Sequence, residues 1–286
     1  MSRQAFFHPF PVQRQPVFRL VEVFHESQEF IRNYTLPFNM ISICLRSEGT
    51  DASVSRNLKT GDRFSMKEND ISLIPCNLSQ EYCHTTRNER YGIHFKLELY
   101  PGVDVFSGVA DRITENLPEF RREAEEIFSD PDPVRMCTRC QEFALRFCLR
   151  HWPAHSGFHP EKIKPFEEIL HFIQNNISAE LTVEEIAEKI HRSPENFTRS
   201  FRAVFQRTPK QFLQELLFRK AAQMLLDPEE SVKSVADSLN FSSEFYFSKF
   251  FKRLSGFSPR EFRSSSLAAR RVWRSDLRFS RTQHSQ

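Results

Sequence analysis

The sequence predicts a chain in two parts: an all-β unit, a sandwich or barrel followed by two helices, and then an all-α unit. Three observations carry this. Residues 16–99 are short extended runs separated by breakers, and everything beyond residue 162 has helical periodicity. Charge divides the chain in the same way: residues 1–160 hold 19 Lys and Arg against 21 Asp and Glu, and 161–286 hold 21 against 16. From Lys189 onward the balance is 19 basic to 9 acidic side chains, concealed in a formal net charge of only +3. A basic C-terminal part beside a near-neutral N-terminal one points to a polyanion partner for one part alone; a solvated surface is the alternative.

At 286 residues and 39% apolar composition, two ordinary cores can form without metals or disulfides. The start, MSRQAFFHPFPVQRQP, lacks the basic-then-apolar order of a signal peptide, and no window offers 18 uncharged apolar residues for a membrane span. Cys44, Cys76, Cys83, Cys137, Cys140 and Cys148 then read as reduced thiols, and the expected location is cytoplasmic.

Taken in order, FRLVEVFHE, MISICLR, DISLIPC and YGIHFKLEL show partial alternation of β-branched or aromatic residues, with GTD, KTGD and KEND as turns between them. Several short strands at roughly regular spacing indicate a sandwich or barrel. Helices are expected over 113–128 and 134–152, separated by SDPDP, and the Pro- and Gly-bearing segment 151–162 marks a linker. Ile163, Phe166, Ile169, Leu170, Ile173 and Ile177 form a helical stripe. Thr182-Val-Glu-Glu185 is a capping box, and Ser193-Pro194, Thr208-Pro209 and Ser258-Pro259 each set an N-cap before a first-turn proline. Residues 210–226 run without a breaker until Asp227-Pro228.

An internal repeat organises this second part. VEEIAEKIHRSPENFTRSF (183–201) and VKSVADSLNFSSEFYFSKFF (232–251) are two versions of one unit, the second with one extra turn residue. Ile186-Ala187 matches Val235-Ala236, Phe197 matches Phe247, Arg199 matches Lys249, Phe201 matches Phe251 and Arg202 matches Lys252. Each reads as a short helix, a polar turn and a longer helix, a helix-turn-helix layout. At about 100° per residue, Phe197, Phe201, Val204 and Phe205 fall on one side of the first long helix, and Phe247, Phe250, Phe251 and Leu254 on one side of the second. The rings are core. The opposite faces can read base edges and phosphates in a major groove, or can be merely solvated; two such faces in register favour the first reading. The connecting helix spans about 25 Å at 1.5 Å per residue, which suits recognition helices about one DNA turn (~34 Å) apart.

These residues resemble the DNA-binding domain of the AraC/XylS family of bacterial transcription regulators. The likeness covers LTVEEIAEKIHRSPENFTRSFRAVFQRTPKQFLQELLFRKAAQMLL and SVADSLNFSSEFYFSKFFKRLSGFSPREFR, about a hundred residues in order. The resemblance implies seven helices forming two helix-turn-helix units on a long helix. Two positions depart from it: Gln206 and Asn240 stand where the family usually has Gly. Carried across, the DNA-reading positions are Glu195, Thr198, Arg199 and Arg202 in the first unit, and Ser243, Glu244, Phe245, Ser248, Lys249 and Lys252 in the second. Arg199 is the strongest candidate for a bidentate guanine contact, while Arg202, Lys252 and Arg253 suit phosphates.

The N-terminal part resembles the cupin-like effector and dimerisation domain of such regulators, through NDISLIPCNLSQEY and YGIHFKLEL. Gln80 stands where the family commonly has His after its "LIP" strand, and no cupin metal triad is present. Arg46, Gln80, Tyr82, His84 and His94 are candidates to line an effector pocket in the barrel mouth, each equally readable as exposed or locally satisfied. Cys137-Thr-Arg-Cys140 reads as two packing thiols, and the stretch with Phe143, Phe147 and Cys148 as either a dimer face or ordinary intradomain packing.

The expectation is therefore a cupin-like effector-binding and dimerisation domain over 1–155, a linker over 156–162, a double helix-turn-helix domain over 163–264 and a basic, unstructured tail over 265–286. Its partners are double-stranded DNA, a small-molecule effector (by resemblance a carbohydrate), a second copy, and RNA polymerase if it activates. No cofactor, metal, membrane or enzymatic activity is expected. The alternatives are a ligand-free protein-interaction module on the DNA-binding domain, or a metal-dependent cupin enzyme fused to it.

Overall fold

Alternating burial along the extended runs builds two antiparallel sheets from ten strands: β1 (Val17–Glu26), β2 (Phe30–Thr35), β3 (Asn39–Ser47), β4 (Ser53–Asn57), β5 (Arg63–Ser65), β6 (Asp70–Ile74), β7 (Ser79–His84), β8 (Asn88–Tyr100), β9 (Val103–Asp104) and β10 (Ile113–Asn116). The computed structural model describes residues 16–27, 30–49, 53–85, 88–155 and 160–264. One sheet has the order β1-β8-β3-β6-β10, with β9 on β8; the other has β2-β7-β4-β5. The odd positions Ile41, Ile43, Ile71, Leu73, Ile93, Phe95 and Leu97 pack beneath α1 (Pro118–Phe128) and α2 (Pro133–His155). The even positions face the second sheet, and that side mixes polar with apolar groups: Ser42, Ser72 and Arg90 are buried there beside Met40, Cys44 and Ile74.

Three expectations change here. Residues 113–116 belong to a strand paired with β6, so the first helix begins only at Pro118. The second helix continues through Trp152 to His155, and residues 160–162 of the expected linker are helical, while 156–159 lie outside the described residues. Phe143, Phe147 and Cys148 are fully buried against the sheet, which is intradomain packing and not an exposed dimer face. The tail 265–286 lies outside the described residues.

The helical part begins with α3 (Pro160–Ile163), which a 3-10 turn (Lys164–Phe166) joins to α4 (Glu167–Asn176). It continues through α5 (Val183–Lys189), α6 (Pro194–Phe205), α7 (Pro209–Leu225), α8 (Val232–Ser238) and α9 (Glu244–Ser255). Thr182, Thr208 and Ser231 close capping boxes, and Ser193 and Ser243 cap α6 and α9 by accepting from the N–H three residues on. Residues 259–264 are again helical, with Ser258 accepting from the Glu261 N–H.

The β-rich and helical parts share a core. Tyr34, Phe38, Tyr82, Tyr100 and Val103 join one apolar cluster with Leu213, Leu216, Leu217, Phe218 and Phe251. On α7, buried Arg219 donates to Glu98 Oε1 at 2.6 Å, and Leu216 lies over Gly102 so closely that a Cβ there would meet it at 2.5 Å. Lys96 reaches Gln223 at 2.8 Å, and Asn77 reaches Glu215 at 3.2 Å. The Phe257 ring lies 6.2 Å from Tyr34.

Candidate nucleic-acid interface

Helix α6 is held from behind by rings. Phe197 and Phe201 are fully buried, and Phe201 lies 4.2 Å from Phe205, 5.3 Å from Phe212 and 5.8 Å from Phe166. The rotation of the helix is thereby set, and Glu195, Thr198, Arg199 and Arg202 face outward along a groove of about 800 Å³ whose other wall includes Val183 and Glu184 at the start of α5. Arg199 donates to Asn196 Oδ1 at 2.6 Å, which orders its guanidinium on the helix surface.

Helix α9 repeats the arrangement. Phe247 and Phe251 are buried, Phe251 lying 5.1 Å from Phe218 of α7 and 5.3 Å from Phe262. Lys249, Lys252 and Arg253 are exposed, Ser248 is half-buried, Ser243 serves as the cap, and Glu244 is 3.5 Å from Arg260. Phe245 is 71% exposed and its neighbour Tyr246 60%. Tyr246 was not among the sequence candidates, although its place in the first turn beside Phe245 could have shown it. Phe245 and Tyr246 lie 5.7 Å apart and offer an exposed apolar contact on a helix whose other rings are core. Among the described residues, no carboxylate pairs with Arg199, Arg202, Lys249, Lys252 or Arg253. Five cations and two rings on capped helices can contact phosphates, guanine edges and thymine methyls.

The five N-terminal candidates divide. Gln80, Tyr82 and His84 alternate along β7 and are all buried facing the first sheet. Tyr82 shares a hydrogen bond with Ser53 at 3.0 Å, and the Arg90 guanidinium lies 4.7 Å above its ring. Neither ring nitrogen of His84 meets a partner in hydrogen-bonding geometry, although the Asn88 backbone is close. Burial, and then the charge of Arg90, hold His84 down at about 4, so it is neutral near pH 7. His94 is half-buried, 3.4 Å from Glu22. Arg46 stands apart, exposed and near Glu48 and Glu89, because a bulge between Cys44 and Arg46 reverses the alternation of β3.

Sequence reasoning missed Arg90, which donates to Glu26 at 2.7 Å, and Arg112, which donates to Gln80 Oε1. Burial raises the Cys137 thiol and pushes Cys140 up to about 12, which suits packing and not nucleophilic chemistry. Among the described residues, no three His, Cys, Asp or Glu side chains converge as a metal site, and no helix is long and apolar enough to cross a membrane.

Residues 186–265 match the family described as "Helix-turn-helix domain". The chain is 34% identical over 92 residues to the HTH-type transcriptional regulator ArgR of Pseudomonas aeruginosa, covering 32% of this chain and 28% of that one. It spans less than half the length of several curated relatives, ArgR among them. A longer likeness, 23% identical over 238 residues, joins 75% of it to 82% of the RCS-specific HTH-type transcriptional activator RclR of Escherichia coli. Among solved structures, ToxT of Vibrio cholerae with a bound unsaturated fatty acid superposes with a TM-score of 0.60 at 10% identity, over 88% of this chain and 96% of that one; at that identity the likeness is one of fold. The matched domain and the repeated helix pairs mark residues 186–265 as a helix-turn-helix domain, similar to those of curated transcriptional regulators.

Proposed function

We propose that this chain is a sequence-specific DNA-binding regulator controlled by a small molecule. Its DNA-binding unit is 163–264, with α5–α6 and α8–α9 as two helix-turn-helix units on α7; its sensor, a cupin-like barrel, is 1–155. The observation that carries the reading is the repeat: two N-capped helices, each with buried Phe rings behind and unpaired cations in front. Arg199→Ala is expected to cost about 1–3 kcal/mol of operator affinity and to relax one base position. Selection from a random DNA library measures this, and an unchanged preference would remove Arg199 from base readout.

The buried polar side chains between the sheets support a sensor over an interaction module, whose interior would be apolar. The contacts of α7 and Phe257 with the sheets offer a route by which a ligand could bias the DNA-binding unit, provided it binds one docking state better than another. A carbohydrate is the effector class implied by family resemblance; the fatty acid in ToxT is a different ligand in a protein of similar fold. Thermal denaturation of the full chain against a panel of sugars, fatty acids and amino acids tests the sensor. A saturable stabilisation supports it, and none across the panel supports the interaction module.

A further inference from the structure

The sheets leave an opening where the edge strands β5 and β10 face one another. A half-enclosed cavity of about 180 Å³ lies there, with Ser55, Asn57, Gln80 and Thr114 in its walls and Arg112 beside them. Pockets for drug-sized ligands run to roughly 300–1,000 Å³, so this one suits a single small ring or chain.

Arg112 is the unusual member. Its guanidinium lies 4.7 Å over the Phe64 ring and donates to the neutral amide oxygen of Gln80. Among the described residues no carboxylate comes within ion-pairing distance of it. The other two inward arginines are compensated, Arg90 by Glu26 and Arg219 by Glu98. Burial lowers the pKa of Arg112, which means that its charge is held in a poorly solvating place. A planar fork of donors partly withdrawn from water and beside a cavity is matched by a carboxylate.

Two further groups narrow the ligand. Asp62 and Asp111 also line the cavity, opposite in charge to Arg63 and Arg112. Asp111 accepts the Arg112 backbone N–H through one oxygen. Two carboxylates on the wall disfavour a phosphate dianion, and their free lone pairs call for donors. Ser55 and Thr114 add hydroxyls, that of Thr114 shared with Ser72 at 2.8 Å, while the Asn57 amide is taken up by Ala110, Lys59 and Thr60. A ligand with one carboxylate and several hydroxyls satisfies both sets. We propose that the cavity binds a monosaccharide acid, its carboxylate on Arg112 and its hydroxyls on Asp62, Asp111 and Thr114. This rests on the sensor reading above and names its ligand class.

The test is thermal denaturation of the full chain with D-glucuronate, D-galacturonate and D-gluconate. D-glucose, D-galactose and the cationic amino acid L-arginine serve as comparisons. The expected result is a saturable rise in Tm with at least one sugar acid and none with its neutral counterpart. Arg112→Gln should weaken that ligand by about tenfold or more, the range of a lost hydrogen bond to a charged group. Should Arg112→Gln not fold, Thr114→Val, which keeps the side-chain volume, should still weaken binding severalfold. Equal stabilisation by neutral sugars, or a response only to L-arginine, overturns the sugar-acid assignment and leaves the sensor standing. Undiminished binding by both variants overturns the site. No response to any sugar acid overturns the ligand class, and the wider panel above then decides whether any sensor exists.

Discussion

Helices α6 and α9 end at equivalent positions of the repeat, Gln206 and Gly256, both left-handed with φ of 56° and 86°. Gln206 is exposed and returns its side-chain N–H to the Ala203 carbonyl. At Gly256 a Cβ would lie 2.3 Å from the Asn33 carbonyl oxygen of β2, and the Phe257 ring packs toward Tyr34. The first unit can therefore carry a side chain where the second cannot. The left-handed turn is common to both, so helix termination does not explain the glycine; the approach of the sheet does. Two units with the same pattern of outward cations differ in that the end of one is held against the β-rich part.

The largest expected effect comes from releasing that hold at its charged centre. Arg219→Ala leaves Glu98 and Asp104 without the guanidinium beside them, and loss of one partner of a buried pair costs about 3–5 kcal/mol. Urea unfolding measures it, and a loss below about 1 kcal/mol would mean that the parts separate freely. Next, Gly256→Ala should cost about 1–3 kcal/mol and speed amide exchange in α9 more than in α6, because both strain and a backbone clash oppose it. Equal exchange in the two helices would erase the contrast between the units.

Lys252→Ala and Arg202→Ala each remove one exposed cation and should weaken all DNA sequences alike. Each lowers the salt slope by about 0.9 for one lost phosphate contact. A change for Arg202→Ala alone would show that docking keeps the second unit off DNA. The smallest effect is Gln206→Gly, which relieves a left-handed side chain and should stabilise by up to about 1 kcal/mol without changing DNA affinity.

Legibility followed the physics of each region. The caps at Thr182, Ser193 and Thr208 were readable because capping is local, set by residues three apart. The wheels of α6 and α9 were readable because one face is dry and the other wet. In contrast, β4 (Ser-Val-Ser-Arg-Asn) and β7 (Ser-Gln-Glu-Tyr-Cys-His) carry polar groups toward the interior, so hydrophobic alternation did not mark them. Arg46 would face inward by the parity of Met40, Ser42 and Cys44; the bulge turned it out, and no local residue signals that shift.

The sequence by itself determined where α5, α6 and α7 begin, the repeat, and which faces of α6 and α9 meet water, since period and capping chemistry act within a few residues. Tertiary structure alone decided that Arg219 is buried on Glu98, that Gly256 sits against Asn33, and that Arg112 lies beside a cavity between the Phe64 ring and the Gln80 amide. Those facts depend on groups brought together from far along the chain, and no periodicity in the sequence records such encounters.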